Sequence, residues 1–344
     1  MSDSTLSEAE VDLLLHGHVT FHVLNAAHEL GLFDYLAAHP GCTEDQTANA
    51  VGLDSYPFEV LTGALRCLGL IISEHGGLHN SPAAARLLVS SSPSSRTALL
   101  GLHRELFYPV LGDLVASLRE STNVGLRNFP GTGDDLYTRL SQHPALEKVL
   151  HSSLSALSSV AIQGLIETQA LKDSTYLLDI GGGDASNAIA LAGAYDRLNI
   201  TLVDEPTVLD IAAKKIRESG CGNRIRLHAA NFLTDPLPAG ADTILFAHVM
   251  PIFSPEINTS LLTKAHRALP PGGRALVFNT MQDDTQEGPV MAMLGSVYFL
   301  ALASGQGRYY AWSHYENWFR KAGFSSIQRH ASMPYSHGLC IATK

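Results

Sequence analysis

The segment Asp179-Ile180-Gly181-Gly182-Gly183-Asp184 is where residue type and spacing point most directly to chemistry. Glycines in series let the backbone turn sharply and let a ligand approach the main chain, because no Cβ intrudes. The apolar run TYLLDI precedes the turn and the helix-forming stretch ASNAIALAGAY follows it. The next apolar run, NITLVD, ends on Asp204, 21 positions after Gly183. A carboxylate at that spacing is placed to accept hydrogen bonds from ribose hydroxyls. The ligand is therefore a nucleoside, and its charge can be argued. A dinucleotide fingerprint would require glycine at position 186, which is Ser186. Pyrophosphate also favours a helix start without negative charge, and Asp184 stands at this one. A cationic nucleoside such as S-adenosylmethionine (SAM), with its sulfonium and amino groups, suits the acidic turn better than NAD does.

A second candidate is His248, in ADTILFAHVM. An imidazole at the carboxyl end of such a strand faces the crevice where open α/β sheets bind ligands, and it can act as a base or a metal ligand there. His103 in GLHRELFYP, Arg127 in the glycine-rich stretch NVGLRNFPGTGDDLY and Tyr298 in VYFLALA are candidates for a substrate pocket. His18 and His22 share a helix face, but no Cys, Asp or Glu beside them completes a metal set. No metal is expected there. Trp312 and Trp318 read as core of a late helix, and His337 carries no assignable role.

These side chains need a scaffold, and the hydrophobic pattern supplies one in two parts. Up to about Ile166 the pattern is mostly helical. Leu13, Val19, Val23, Leu24 and Ala27 fall on one side of a helix turning about 100° per residue, as one buried helical face requires. Thr43 is placed to cap a short helix, a further helix follows Asp54, and SEHGGLHNS reads as a hairpin around Gly76-Gly77. Helices with a small hairpin suggest a winged-helix arrangement. Residues 1–100 carry three basic side chains (Arg66, Arg86 and Arg96) against eleven acidic ones, so a phosphate-neutralising surface is missing and packing or dimerisation is the expected use. The stretches 123–137 and 281–310 read as loops that shape a pocket. After Asp173 strands and helices alternate, which argues for a parallel sheet with helices on both faces. The runs GFSSIQRHAS and HGLCIATK close it as an antiparallel edge. The expectation is an α/β protein, with a helical domain over 1–166 and a Rossmann-like nucleoside-binding domain over 167–344.

Composition agrees. The 344 residues include 33 acidic and 23 basic side chains, a net charge of −10, and 45% are hydrophobic. That balance argues against nucleic acid as a partner and leaves ample material for a core. There is no unbroken apolar run of membrane-spanning length and no basic leader, so neither membrane nor secretion is expected. Cys42, Cys67, Cys221 and Cys340 are scattered without metal or redox spacing and read as cytoplasmic thiols.

Taken together, the stretches HELGLFDYL, LLDIGGGDASNAIALA, LVDEP and ALPPGG make the chain resemble SAM-dependent small-molecule methyltransferases of the caffeate/hydroxyindole O-methyltransferase type. The bacterial natural-product branch, which includes 2-oxo acid C-methyltransferases, is the nearest in flavour. The resemblance covers nearly the whole chain. It implies a seven-stranded Rossmann-like domain, a helical dimerisation domain, a homodimer, and a substrate pocket between the two domains. By position it implies that the turn from Asp179 through Gly181 and Gly183 lines the methionine end of SAM, that Asp204 holds the ribose, and that Asn231 and Phe232 flank the adenine. Two departures stand out. Ala230-Asn231 replaces the family's glycine-aspartate pair. The family's His-Asp-Trp triplet, whose histidine deprotonates the acceptor, is here Pro251-Ile252-Phe253. Proline cannot accept a proton, which moves His248 to the front as candidate base. It favours methylation of carbon, or of an acceptor already ionised, over ordinary phenol O-methylation. Catalysis without methyl transfer, and SAM sensing without catalysis, are the alternatives.

Overall fold

The computed structural model describes residues 6–344, the side chain of Val160 apart. The first five residues of the acidic amino terminus lie outside it. Among the described residues the chain forms two compact units, parting at Gly101/Leu102. The sequence pattern places the boundary at 166/167, shortly before strands and helices begin to alternate after Asp173. Compactness divides the chain earlier, and the helices from Leu102 to Glu167 belong with the sheet.

In the first unit, α1 (Glu8–Leu15), α2 (Gly17–Glu29) and α3 (Leu32–Ala38) replace the single long helix that the periodicity suggests. Gly31, at φ 72°, makes the second break. Leu13 and Val19 are exposed, and only Ala27 of the expected stripe is fully buried. Thr43 caps α4 (Glu44–Ala50) in a reciprocal capping box with Gln46, and α5 (Ser55–Cys67) follows Asp54. The hairpin forms as expected, from β1 (Ile71–Glu74) and β2 (Gly77–Asn80), with His75 and Gly76 in left-handed turn conformations. Before α6 (Pro82–Leu87) closes the unit, Phe33, Phe58, Leu65, Ile71 and Leu78 meet in its core.

The second unit is built on seven strands: β3 (Tyr176–Ile180), β4 (Asn199–Asp204), β5 (Ile225–Ala229), β6 (Thr243–Ala247), β7 (Arg274–Thr280), β8 (Ser326–His330) and β9 (His337–Thr343). Their order is β5-β4-β3-β6-β7-β9-β8, parallel except for β9, which runs antiparallel to β7 and β8. The chain leaves β3 toward β4 and returns on its other side as β6. That reversal opens a crevice at the carboxyl ends of β3 and β6, the ligand position of open α/β sheets. Before the sheet come α7 (Ala98–Leu102), which bridges the division between units, then α8 (Tyr108–Leu111), α9 (Leu114–Glu120), α10 (Leu136–Leu140) and α11 (Pro144–Glu167). Within it lie α12 (Ser186–Ala194), α13 (Pro206–Ser219), α14 (Pro255–Ala268), α15 (Val290–Tyr298) and α16 (Trp312–Ala322).

Side chains alternate across the sheet. Leu178, Ile180, Phe246 and Val277 pack with Trp312, Trp318 and Phe319 of α16 on one face. Leu177, Leu202, Leu245 and Phe278 pack with residues of α11 and α12 on the other. By length and composition α11 could cross a membrane, although its sequence has no long unbroken apolar run. Its Ala161, Ile162 and Leu165 are instead buried in the second core, as in a core helix of a globular domain. The stretch 123–137 is fastened rather than loose. Arg139 on α10 donates to the carbonyls of Leu126 and Phe129 (both 2.9 Å) and of Gly133 (2.6 Å). Likewise α15 and the π-helical turn Phe299–Ala303 occupy much of the stretch 281–310.

Candidate active site

The glycine turn sits at the carboxyl end of β3, inside the crevice. Gly181 and Gly183 adopt φ +66° and +59°, which only glycine takes without strain. A Cβ on Gly181 would lie 2.7 Å from Val249 Cγ2 and 3.6 Å from the Phe232 ring, whereas one on Gly183 would meet nothing within 4 Å. The turn therefore has a walled side and an open side. Asp204, at the end of β4, accepts the Gly183 N–H at 2.9 Å and the Glu205 N–H at 2.8 Å. Burial nonetheless raises its pKa, against the pull of those bonds and of His151.

Asp179 stands just before the turn. It is fully buried in β3, and both carboxylate oxygens lack a hydrogen-bond partner. Burial, reinforced by the Asp204 charge, pushes its pKa up to about 7. Such a carboxylate lacks a donor or a cation, and leaving it so is costly. A ligand with positive charge, seated on the open side of this turn, supplies what the site lacks, and the residues present fit SAM in that sense.

Asp184 behaves in the opposite way. Burial opposes its ionisation, yet Lys215 and Ser186 hold its pKa below the usual range. Lys215 Nζ donates to Asp184 at 2.7 Å and to Ser186 Oγ at 2.5 Å, and Ser186 N and Oγ donate to Asp184. This network pins α11, α12 and α13 around Ala185, a buried non-glycine residue at φ +68°. The sequence turn showed Asp184 but not its partner, because Lys215 lies 31 residues away. Beside the turn an open groove of about 400 Å3 is lined by His151, Ser155, Asp184, Ile211 and Lys215, among others.

The remaining candidates divide. Phe232 faces Gly181. Its neighbour Asn231 is exposed, and its carboxamide is turned back to accept from the N–H of Leu233 (2.9 Å) and Thr234 (3.3 Å). His248 follows β6 directly. Its N–H donates to Phe278 O at 2.9 Å, and its backbone is left-handed at φ +62°, a costly state that the surrounding structure must hold in place. The ring packs edge-on against Phe278 and His337, with centroids 5.5 and 5.1 Å away. The next residue, Val249, walls Gly181, so one short segment carries both features. Pro251, at the position of the family's histidine, lies buried in a 3-10 turn, Met250–Ile252.

His103 and Tyr298 come together through Phe107. His103 is tilted on Phe107 at 4.9 Å, and Phe107 stacks on Tyr298 at 5.4 Å. The buried Tyr298 hydroxyl donates to Tyr137 at 3.4 Å, and burial raises both phenols' pKa, Tyr137 to about 12. Arg127 stands apart from this row: its exposed guanidinium is paired with Asp113. Trp312 and Trp318 are core, as their pattern suggests. Among the described residues no cluster of three or more metal-ligating side chains forms.

The arrangement has known counterparts. The O-methyltransferase domain family matches residues 108–325. The L-tyrosine C(3)-methyltransferase of Streptomyces lavendulae is 39% identical over 334 residues, covering 96% of this chain and 91% of that protein. The crystal structure of the SAM-dependent methyltransferase SibL in its apo form superimposes with a TM-score of 0.87 at 37% identity, over 98% of this chain and 99% of that one. Human N-acetylserotonin methyltransferase in complex with SAM gives 0.85 at 25% identity, over 100% and 99%. The chain belongs to the O-methyltransferase domain family, and it is a SAM-dependent methyltransferase.

Proposed function

We propose that the protein methylates an aromatic carbon next to a phenolic hydroxyl, on a small amino acid of the L-tyrosine class. The observation that carries this is the substitution at the family's base. Pro251 cannot take a proton, while His248, three residues earlier, stands on a left-handed backbone directly after β6 and is kept neutral by burial. The 39% identity with an L-tyrosine C(3)-methyltransferase supports the acceptor class.

Bound SAM supplies an electrophilic methyl group on a sulfonium. Asp179, with Gly181 and Gly183, receives the positive methionine end, Asp204 the ribose hydroxyls, and Phe232 with Asn231 the adenine edge. The chain's main contribution is then alignment. His248 takes the phenolic proton, and the negative charge that remains is shared with the ortho carbon, which becomes the nucleophile. Once that carbon holds the methyl group its own hydrogen leaves as a proton to solvent, the oxygen recovers a proton from His248, and the aromatic phenol is restored. Burial, and to a lesser degree His337, lower the His248 pKa to about 3. An isolated imidazolium is disfavoured there, but one facing the phenolate it has just created is stabilised by the opposite charge. His103 and Tyr298 fit an aromatic wall for the acceptor, with Arg127 toward solvent.

The wider reading is a cytoplasmic enzyme that acts as a homodimer through its amino-terminal helices. Exposed Leu13, Leu14, Leu15 and Val19 on α1 and α2 support dimerisation. We read α3 to α6 with the β1–β2 hairpin as a winged helix used for packing rather than for nucleic acid, and no membrane is involved. With SAM, the purified protein is expected to methylate L-tyrosine and to leave L-phenylalanine untouched, as mass spectrometry of the products will show. Equal turnover of both would remove the phenol from the mechanism.

A further inference from the structure

His337 opens β9 at the point where it meets the end of β7, opposite Thr280. Its Nδ1 lies 3.0 Å from Pro334 O and 3.2 Å from Tyr335 O. Carbonyl oxygens only accept, so Nδ1 carries the proton and the lone pair is left on Nε2. That Nε2 is buried and has no partner. The His248 ring stands edge-to-face with it at 5.1 Å, and its own Nε2 is also buried and unpartnered. Phe278 packs against both rings, at 5.5 Å from His248 and 5.1 Å from His337, and fixes their mutual placement. Two adjacent imidazoles thus each hold back one buried nitrogen. One of the two, on His337, is an acceptor by the argument above.

The backbone is committed to this placement. Ser332, Tyr335 and Ser336 are non-glycine residues with φ between 57° and 68°, immediately before His337, and His248 across from them is left-handed too. Ser336 O accepts the Met281 N–H at 3.0 Å, and Met333 N–H reaches His337 O at 3.3 Å. Strain held by such cross-links on both sides of one ring pair is how a fold fixes a side chain's orientation at a working site.

We propose that His337 is a positioning residue for His248: its Nε2 lone pair accepts from Nε2–H of His248, which leaves the free lone pair of His248 on Nδ1. The two nitrogens are not hydrogen-bonded in the structure as it stands, so the contact forms when the adjacent rings turn toward each other. The logic is that of a catalytic imidazole whose tautomer is set by the bond its other nitrogen makes. It rests on the reading of His248 as proton acceptor, and it adds which nitrogen does the work and what decides it.

Side-chain 15N resonances of histidine-labelled protein, free of SAM and acceptor, report the tautomer directly, and loss of the resonance in His248→Gln assigns it. The expected wild-type state is Nε2–H with a bare Nδ1. His337→Asn keeps a donor toward the Pro334 and Tyr335 carbonyls but removes the acceptor. It is expected to convert His248 to a tautomer mixture and to lower kcat about tenfold or more, with acceptor KM and SAM affinity within twofold of wild type. His337→Gln restores an acceptor oxygen near the Nε2 position and is expected to restore the Nε2–H state. An Nδ1–H tautomer in the wild type overturns the proposal, even if neither variant folds. So does an unchanged tautomer and kcat in His337→Asn. Because the tautomer is read without turnover, failure here is distinct from failure of His248 as the base, which the kinetics of His248→Ala decide.

Discussion

Asp179→Asn is expected to make the SAM-free protein more stable and its SAM binding weaker. The carboxyl has a folded pKa of about 7 against an ordinary 3.8, because burial and the Asp204 charge disfavour its ionised form. A raised carboxyl pKa means the folded state holds the proton more tightly than the unfolded chain. Stability is therefore lost as pH rises from about 4 to about 7, and above that the full cost stands. Three pKa units correspond to a cost on the order of 4 kcal/mol. Asparagine removes the charge, so the gain in Tm is expected to be larger at pH 8 than at pH 5, as scanning calorimetry at both values will show. His248 and His337 work in the opposite direction. Their depressed values of about 3 and about 4 cost stability as pH falls below the ordinary histidine range, in wild type and variant alike.

The same group should govern the ligand. A cation brought next to Asp179 lowers its pKa, and by linkage the ionised carboxylate strengthens SAM binding by about tenfold or more. Wild-type affinity is thus expected to climb between pH 6 and 8, with proton release near pH 7, while Asp179→Asn binds weakly and with a flatter profile. Titration calorimetry in buffers of different ionisation heat measures both. A variant that binds SAM as well as wild type, with the same pH profile, would take Asp179 out of the site.

His248→Ala is expected to lower turnover by about a hundredfold or more, the usual scale for a positioned proton acceptor, while SAM affinity stays within a few-fold. The two quantities separate because the His248 ring points toward Phe278 and His337, whereas Val249, not His248, walls the glycine turn. The pH dependence adds a second signature. With a pKa near 3, His248 remains neutral and able to accept a proton throughout pH 5 to 8. Any acid limb in that range should appear in the SAM KM, through Asp179, and not in kcat. Full turnover in His248→Ala would return this histidine to a packing role.

Much of this was legible in the sequence because it is local. The glycine turn, Asp204 at the next strand end, the Thr43 cap, the hairpin and all seven strands of the large sheet are written in periods of two and of three to four residues with glycine between them. What was not legible depends on contacts far apart in the chain. Nothing near Asp179 in the sequence tells that both of its oxygens end up without a donor. His337 sits some ninety residues from His248 and gains meaning only when β9 inserts antiparallel beside β7. Arg127 was conspicuous as a cation in a glycine-rich stretch, but Asp113 claims it. The neighbouring Arg139 does the structural work there, through three backbone carbonyls. The stripe from Leu13 to Ala27 misled for the same reason: periodicity records an apolar face but not what covers it, and the chain breaks between α1 and α2 inside the stripe.

The central claim is that the methyl group goes to carbon, and one labelling experiment tests it. The protein is incubated with SAM carrying a trideuterated methyl group and with L-tyrosine deuterated at both ring positions next to the hydroxyl. The expected product keeps a free phenol, gains the trideuterated methyl on the ring and loses one of its two ring deuteriums, all visible by mass spectrometry and NMR. A product with both ring deuteriums retained and the labelled methyl on oxygen or nitrogen would contradict it.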